Sequence, residues 1–240
     1  GSNTLQIEAA DSFASTGSAQ LFGTDLSLRA RSVSLAGVVT AQNDMTIEAS
    51  TGALVSSAAL SGQNLSLLSS GAISITGLVE AQDFAKLTAG DVLTVATGAG
   101  IGAARIDATA GEIMNVGVLL ADADLQLTAL SGAVRNSGQL MAGAGLDILA
   151  PLGFENTGLV RAASFDLSSP VALDFVAGSQ IIANDLDITA PELSNAGLLV
   201  GQSDLDITTL SGRLANSGTI WGADVTLTSA ALLENTGVLE

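Results

Sequence analysis

The chain contains no cysteine, no histidine and no tyrosine, and only 3 prolines among its 240 residues. Without thiolates or imidazoles there can be no zinc site of the usual donor set, no disulfide, no cysteine nucleophile and no catalytic triad that needs histidine. Aromatic residues make up 3% of the chain while 48% is hydrophobic, so any core has to be built from alanine, valine, leucine and isoleucine. Basic residues are scarce as well. Seven lysines and arginines against 24 aspartates and glutamates leave a formal charge of −17, which opposes a nucleic-acid backbone and an anionic membrane surface alike. The uncharged stretch from Ala49 to Val79 does not read as a membrane span, because serines, threonines and glycines interrupt it throughout. Neither nucleic acid nor membrane insertion is expected, and no cofactor. The opening GSNTLQIEAA has neither the basic nor the apolar region of a signal peptide. Gly1 and Ser2 read as a cloning scar, and residues 3–240 as one continuous repeat segment internal to a longer protein.

What the chain does have is glycine, 27 in all, and an insistent repeat. The pattern D-L-x-L-x-A recurs, as in Asp124-Leu125-Gln126-Leu127, Asp185-Leu186-Asp187-Ile188 and Asp204-Leu205-Asp206-Ile207. Its first apolar position falls at Leu5, Leu26, Met45, Leu65, Ala85, Ile106, Leu125, Leu146, Phe165, Leu186, Leu205 and Val225, at intervals of 19 to 21 residues. Glycines keep the same beat from Gly17 and Gly37 to Gly218 and Gly237, with Ser57 filling one gap. Asparagines precede them at Asn115, Asn136, Asn156, Asn195, Asn216 and Asn235; in the first five units that position is assigned to Ser15, Leu35, Val55, Ile75 and Ala96.

Within each unit the apolar residues alternate with a period of two, which describes strands. Three short runs per unit are separated by too few residues for a helical crossover. The expected fold is therefore all-β: a parallel β-helix of about twelve 20-residue coils with three short strands each. Its hand is taken as right-handed from the rule for parallel crossovers. A lone coil cannot bury its apolar face, but each neighbour covers it, so stability grows with coil number.

A coil reading N-x-G-x-L-x-A-x-x-D-L-x-L-x-A resembles the haemagglutinin repeats of the filamentous haemagglutinin family, the large exoproteins of Gram-negative two-partner secretion. Asn195-Ala196-Gly197 leading into Asp204-Leu205-Asp206-Ile207 carries the match, as does Asn115-Val116-Gly117 leading into Asp124-Leu125-Gln126-Leu127. The resemblance implies a secreted, surface-displayed stalk that mediates or supports cell adhesion. It implies an outer-membrane two-partner transporter for the full-length protein, and a host-cell or bacterial surface receptor, protein or glycan. Other family members are contact-dependent growth-inhibition effectors whose stalk presents a receptor-binding region and a C-terminal toxin, and that remains the alternative.

Three surfaces are candidates for function. The asparagines can stack as a ladder across coils or contact carbohydrate; the ladder is preferred, because asparagine beside glycine suits a tight corner. Outward aspartates form a column, Asp147, Asp166, Asp187 and Asp206, beside a second, Asp185, Asp204 and Asp224. No metal site is assigned; Asp185, Asp187, Asp204 and Asp206 come nearest to one, and a solvated face is the preferred reading. Counting from each glycine, positions +1 and +3 face outward, which exposes Val118, Leu120, Met141, Leu159, Leu198, Val200 and Trp221 as a partner-binding strip. A slip of one residue in register would instead bury all of them.

No catalytic residue is expected. Polysaccharide-degrading β-helices build clefts from long loops, whereas no corner here exceeds a few residues. A threonine column, Thr109, Thr128, Thr189, Thr208 and Thr228, raises ice binding, but its neighbouring column is aspartate.

Overall fold

A computed structural model describes residues 3–240, so Gly1 and Ser2 lie outside the described residues. The described residues form strands and no helix. Parallel strands stack as a β-solenoid of about 12 turns, roughly 20 residues apart. The chain divides into two compact units, one ending at Asp122 and the other spanning Ala123–Glu240.

In the first unit the apolar frame positions pair one period apart: Leu5 with Leu26, Leu26 with Met45, Met45 with Leu65, Leu65 with Ala85 and Ala85 with Ile106. The third runs form their own parallel ladder, which includes Ser32–Leu35, Leu54–Ser56, Ile73–Ile75, Val92–Val95 and Glu112–Asn115. In the second unit the frame runs Leu125, Leu146, Phe165, Leu186, Leu205, Val225, each opposite the next. Its later third runs are Leu173–Phe175, Leu193–Asn195, Leu214–Asn216 and Leu233–Asn235.

Where three separate strands per coil are expected, the first two are in places a single strand with a register irregularity at the corner. Leu78–Ala89, Gln180–Ala190, Leu198–Thr209 and Thr219–Ser229 are of this kind.

The interior is a set of aliphatic columns. Leu26, Met45, Leu65 and Ile106 are at most 2% exposed in the first unit, and so are Leu125, Leu146, Phe165, Leu186 and Leu205 in the second. Each fully buried aliphatic side chain contributes about 1.5–3 kcal/mol. Phe154 and Phe165 meet edge to face, their centroids 6.1 Å apart.

Several of the repeat glycines stand where coils approach each other closely. A Cβ on Gly218 would sit 2.1 Å from the carbonyl oxygen of Gly197. The prolines Pro151, Pro170 and Pro191 lie in the corner after the second run, where no ladder N–H is needed.

Candidate interaction surface

The corner after the third run is turned in two ways, and the difference sets which residues reach the surface. Where the third run ends in asparagine, the side chain closes the corner. The Gly197 N–H donates to Asn195 Oδ1 at 3.1 Å, and Asn195 Nδ2 donates to the Gly197 carbonyl at 3.3 Å. Where Val95 and Phe175 stand in place of asparagine, the corner is two residues longer and the backbone closes it. Ala99 N–H donates to Ala96 O at 3.0 Å, and Ser179 N–H to Val176 O at 3.1 Å. The third residues of these turns, Gly98 and Gly178, have φ of 79° and 92°. Positive φ there is what a type II turn requires.

Two assignments made from spacing are corrected, the first by the longer corner and the second because Ala58, not Ser57, holds the place of the repeat glycine. The residue paired with Asn115 is Val95, not Ala96, and the residue between Leu35 and Ile75 in that column is Ser56, not Val55. Val95 and Ser56 are fully buried while Val55 is 42% exposed. After Gly178 the inward positions are likewise shifted: Ile181 is buried, and Ile182 faces out.

The asparagine column faces inward. Asn115, Asn136, Asn156, Asn195 and Asn216 are each at most 3% exposed. Asn136 donates to Asn156 at 2.8 Å, Asn195 to Asn216 at 2.8 Å and Asn216 to Asn235 at 2.7 Å. Phe175 occupies the position beside Asn195 and interrupts the stack.

The aspartates face outward and stack in register. Asp147 lies opposite Asp166, Asp166 opposite Asp187, and Asp187 opposite Asp206, where Thr226 ends the column. Asp185, Asp204 and Asp224 form the parallel column. Partial burial, followed by the charges of Asp166 and then Asp206, raises the Asp187 carboxyl above its ordinary value. Among the described residues no group of three or more acidic side chains converges as a set of metal ligands, Asp185, Asp187, Asp204 and Asp206 included. A surface concavity of about 260 Å³ borders the start of the column, lined by Gln126, Asp147, Leu149 and Asp166 among others.

The apolar strip is not one object. Val118 and Leu120 belong to the first unit, where they lie opposite Gly100 and Gly102. In the second unit Met141 is opposite Arg161, and Arg161 is opposite Ile182. Leu159 is opposite Gln180, which separates it from Leu198. The residues brought together are Ile182, Val200 and Trp221 in one column, with Leu198 next to Val200 on the same outward face. Between them the inward Leu199 and Ile220 are buried, so the register is the one that exposes the strip. Trp221 is 40% exposed.

Ile182 escapes the reading from spacing because its coil contains the longer Gly178 corner. Counted from that glycine it takes position +4, an inward one. The signal that finds it is the wider spacing from Phe175 to Gly178, three residues against the two from Asn195 to Gly197.

Comparison with protein-family models, with curated proteins and with solved structures finds no match to this chain. Thr189, Thr208 and Thr228 are in register, next to the aspartate and threonine column of Asp187, Asp206 and Thr226. In the first unit Glu8, Arg29, Arg31 and Ser50 line part of a surface concavity of about 610 Å³, with Arg29 paired to Glu48 at 3.3 Å and Arg31 to Asp11 at 3.2 Å.

Proposed function

We propose that the chain is a stalk and adhesion segment of a secreted, filamentous-haemagglutinin-like protein displayed on a Gram-negative surface. The observation that carries this reading is the apolar column in which half-buried Ile182 and Val200 and the exposed Trp221 stack in register on an outward sheet face. Apolar side chains in an outward sheet column do not contribute to the core that holds the coils together; contact with a partner is the role that rewards their position. The stacked coils of each unit supply a regular scaffold, and the receptor is a surface protein or glycan. In this reading the chain performs no catalysis, and export of the full-length protein uses a two-partner outer-membrane transporter.

The test is binding of the labelled, folded protein to epithelial cells and to Gram-negative bacteria. Saturable binding to epithelial cells supports adhesion. Saturable binding to bacteria instead transfers the segment to a growth-inhibition effector. Absence of saturable binding to both overturns the adhesive role.

A further inference from the structure

The apolar column and the two aspartate columns share the same strands. On Leu198–Thr209, Val200 is followed by Asp204 and Asp206; on Thr219–Ser229, Trp221 is followed by Asp224. Only the register irregularity at Gly201/Asp204 separates the apolar from the acidic part. At roughly 3.3 Å per residue, the three or four residues that turn this corner keep the carboxylates within about 10–13 Å of the apolar residues. A partner segment that covers Val200 and Trp221 and continues along the strands past this corner reaches the carboxylates within its next few residues.

These carboxylates are not compensated. Within the second unit Arg135 pairs with Glu155 at 2.9 Å and Arg213 with Glu192 at 3.0 Å. Both lie at the third runs, and neither reaches Asp185, Asp204, Asp206 or Asp224. Charges one strand apart, about 4.8 Å, repel by about 0.9 kcal/mol per pair in water. A cationic group laid along the columns would relieve that repulsion as it docks.

We infer that the occupant of this face is a basic polypeptide segment with an apolar stretch adjoining a run of lysine or arginine, the apolar part on Ile182, Val200 and Trp221 and the cationic part along the aspartate columns. The inference rests on the adhesive reading above and names the partner's chemistry. A second copy of the chain fits poorly, because it carries the same acidic columns and a formal charge of −17. An uncharged glycan would leave the carboxylates uncompensated.

Trp221 is the only tryptophan and there is no tyrosine, so its emission reports this face without a label. The probes are three synthetic peptides that share an apolar first half and alternate lysine, serine or glutamate through the second half. The lysine peptide should shift Trp221 emission to shorter wavelength and bind about tenfold or more tightly than the other two. Raising sodium chloride to about 0.5 M should remove that preference. Asp204→Asn should weaken lysine-peptide binding by about threefold or more, while Asp174→Asn, the same charge change on the third-run sheet, should leave it unchanged.

Equal binding of the serine or glutamate peptide overturns the inference, as does an equal effect of the two substitutions. An emission shift that depends on protein concentration without peptide assigns the face to a second copy and also overturns it. Cell binding measured in parallel separates the two levels. Cell binding that survives without a lysine preference defeats the inference alone, and loss of both defeats the adhesive reading beneath it.

Discussion

Asn195 Nδ2 lies 2.8 Å from Asn216 Oδ1, one coil further along the second unit, and donates a hydrogen bond to it. The same Asn195 accepts from the Gly197 N–H at 3.1 Å, so one buried side chain both turns its own corner and ties two coils together. Asn216 repeats the tie to Asn235 at 2.7 Å.

Asn195→Ala removes both functions and leaves a buried amide N–H without its partner, at a cost of about 1–3 kcal/mol. Asn235→Ala, at an exposed position, should cost less. Urea titrations of the two variants check the order.

The glycines divide by what surrounds them. Gly218→Ala sets a Cβ 2.1 Å from the Gly197 oxygen and 2.6 Å from the Ala196 carbonyl carbon. Backbone cannot step aside cheaply, so the expected loss is about 1–3 kcal/mol. Gly178→Ala meets nothing within 4 Å but must hold φ at +92°, costing about 1–2 kcal/mol. Gly102→Ala has open space and ordinary φ, so it should be neutral or slightly stabilising. Thermal melts of the three give the ranking.

Phe175→Asn would appear to repair the asparagine column. It should instead destabilise by about 3 kcal/mol or more, because a fully buried ring is lost. The corner that follows it is already closed by the Val176–Ser179 turn, so a new amide has no turn to close. A gain in stability from this substitution would show that the two corner types are interchangeable.

Asp187 gives the protein a pH dependence of definite sign. Its folded-state pKa is raised by burial first and by Asp166 and Asp206 after that. The folded protein therefore holds this proton more tightly than the unfolded chain does. The resulting stabilisation is fully present below the unfolded pKa and is lost as pH rises through the folded one. Asp187→Asn should flatten this part of the stability–pH curve and raise stability at neutral pH. Melting temperatures across the acidic range, at low and high salt, provide the check.

Arg213 and Glu192 form an exposed pair 3.0 Å apart. Arg213→Gln should cost no more than about 1 kcal/mol and lose most of its effect in high salt. A larger loss in denaturant titrations would mean that this corner depends on charge rather than on the stacked backbone.

The coil frame was legible because a solenoid repeats one physical problem. Every frame residue from Leu5 to Ala85 meets its equivalent in the next coil of the first unit, and so does every one from Leu125 to Leu205 in the second. The aspartate columns followed from the same alternation. What spacing hid was the two-residue difference between an asparagine corner and a type II turn, one residue before the glycine and one after it. A beat kept by glycines reads Gly98 and Gly178 as equivalents of Gly117 and Gly197, although each sits in a corner two residues longer. That difference put Ala96 in place of Val95 and turned Ile182 inward on paper. It also hid the apolar cluster, since Ile182 is what joins Val200 and Trp221 into a longer column. Fusion of the first two runs was invisible for another reason: whether a corner breaks a strand depends on backbone pairing with the neighbouring coil.

Trp221→Asp tests the adhesive face most directly. The side chain is outward and lies beyond the buried Ile220, so far-ultraviolet circular dichroism and the melting temperature should stay close to those of the parent protein. Binding to epithelial cells, measured as a saturation curve for both proteins, should fall about tenfold or more in the variant. An unchanged saturation curve from a variant shown to be folded would contradict the assignment of this face.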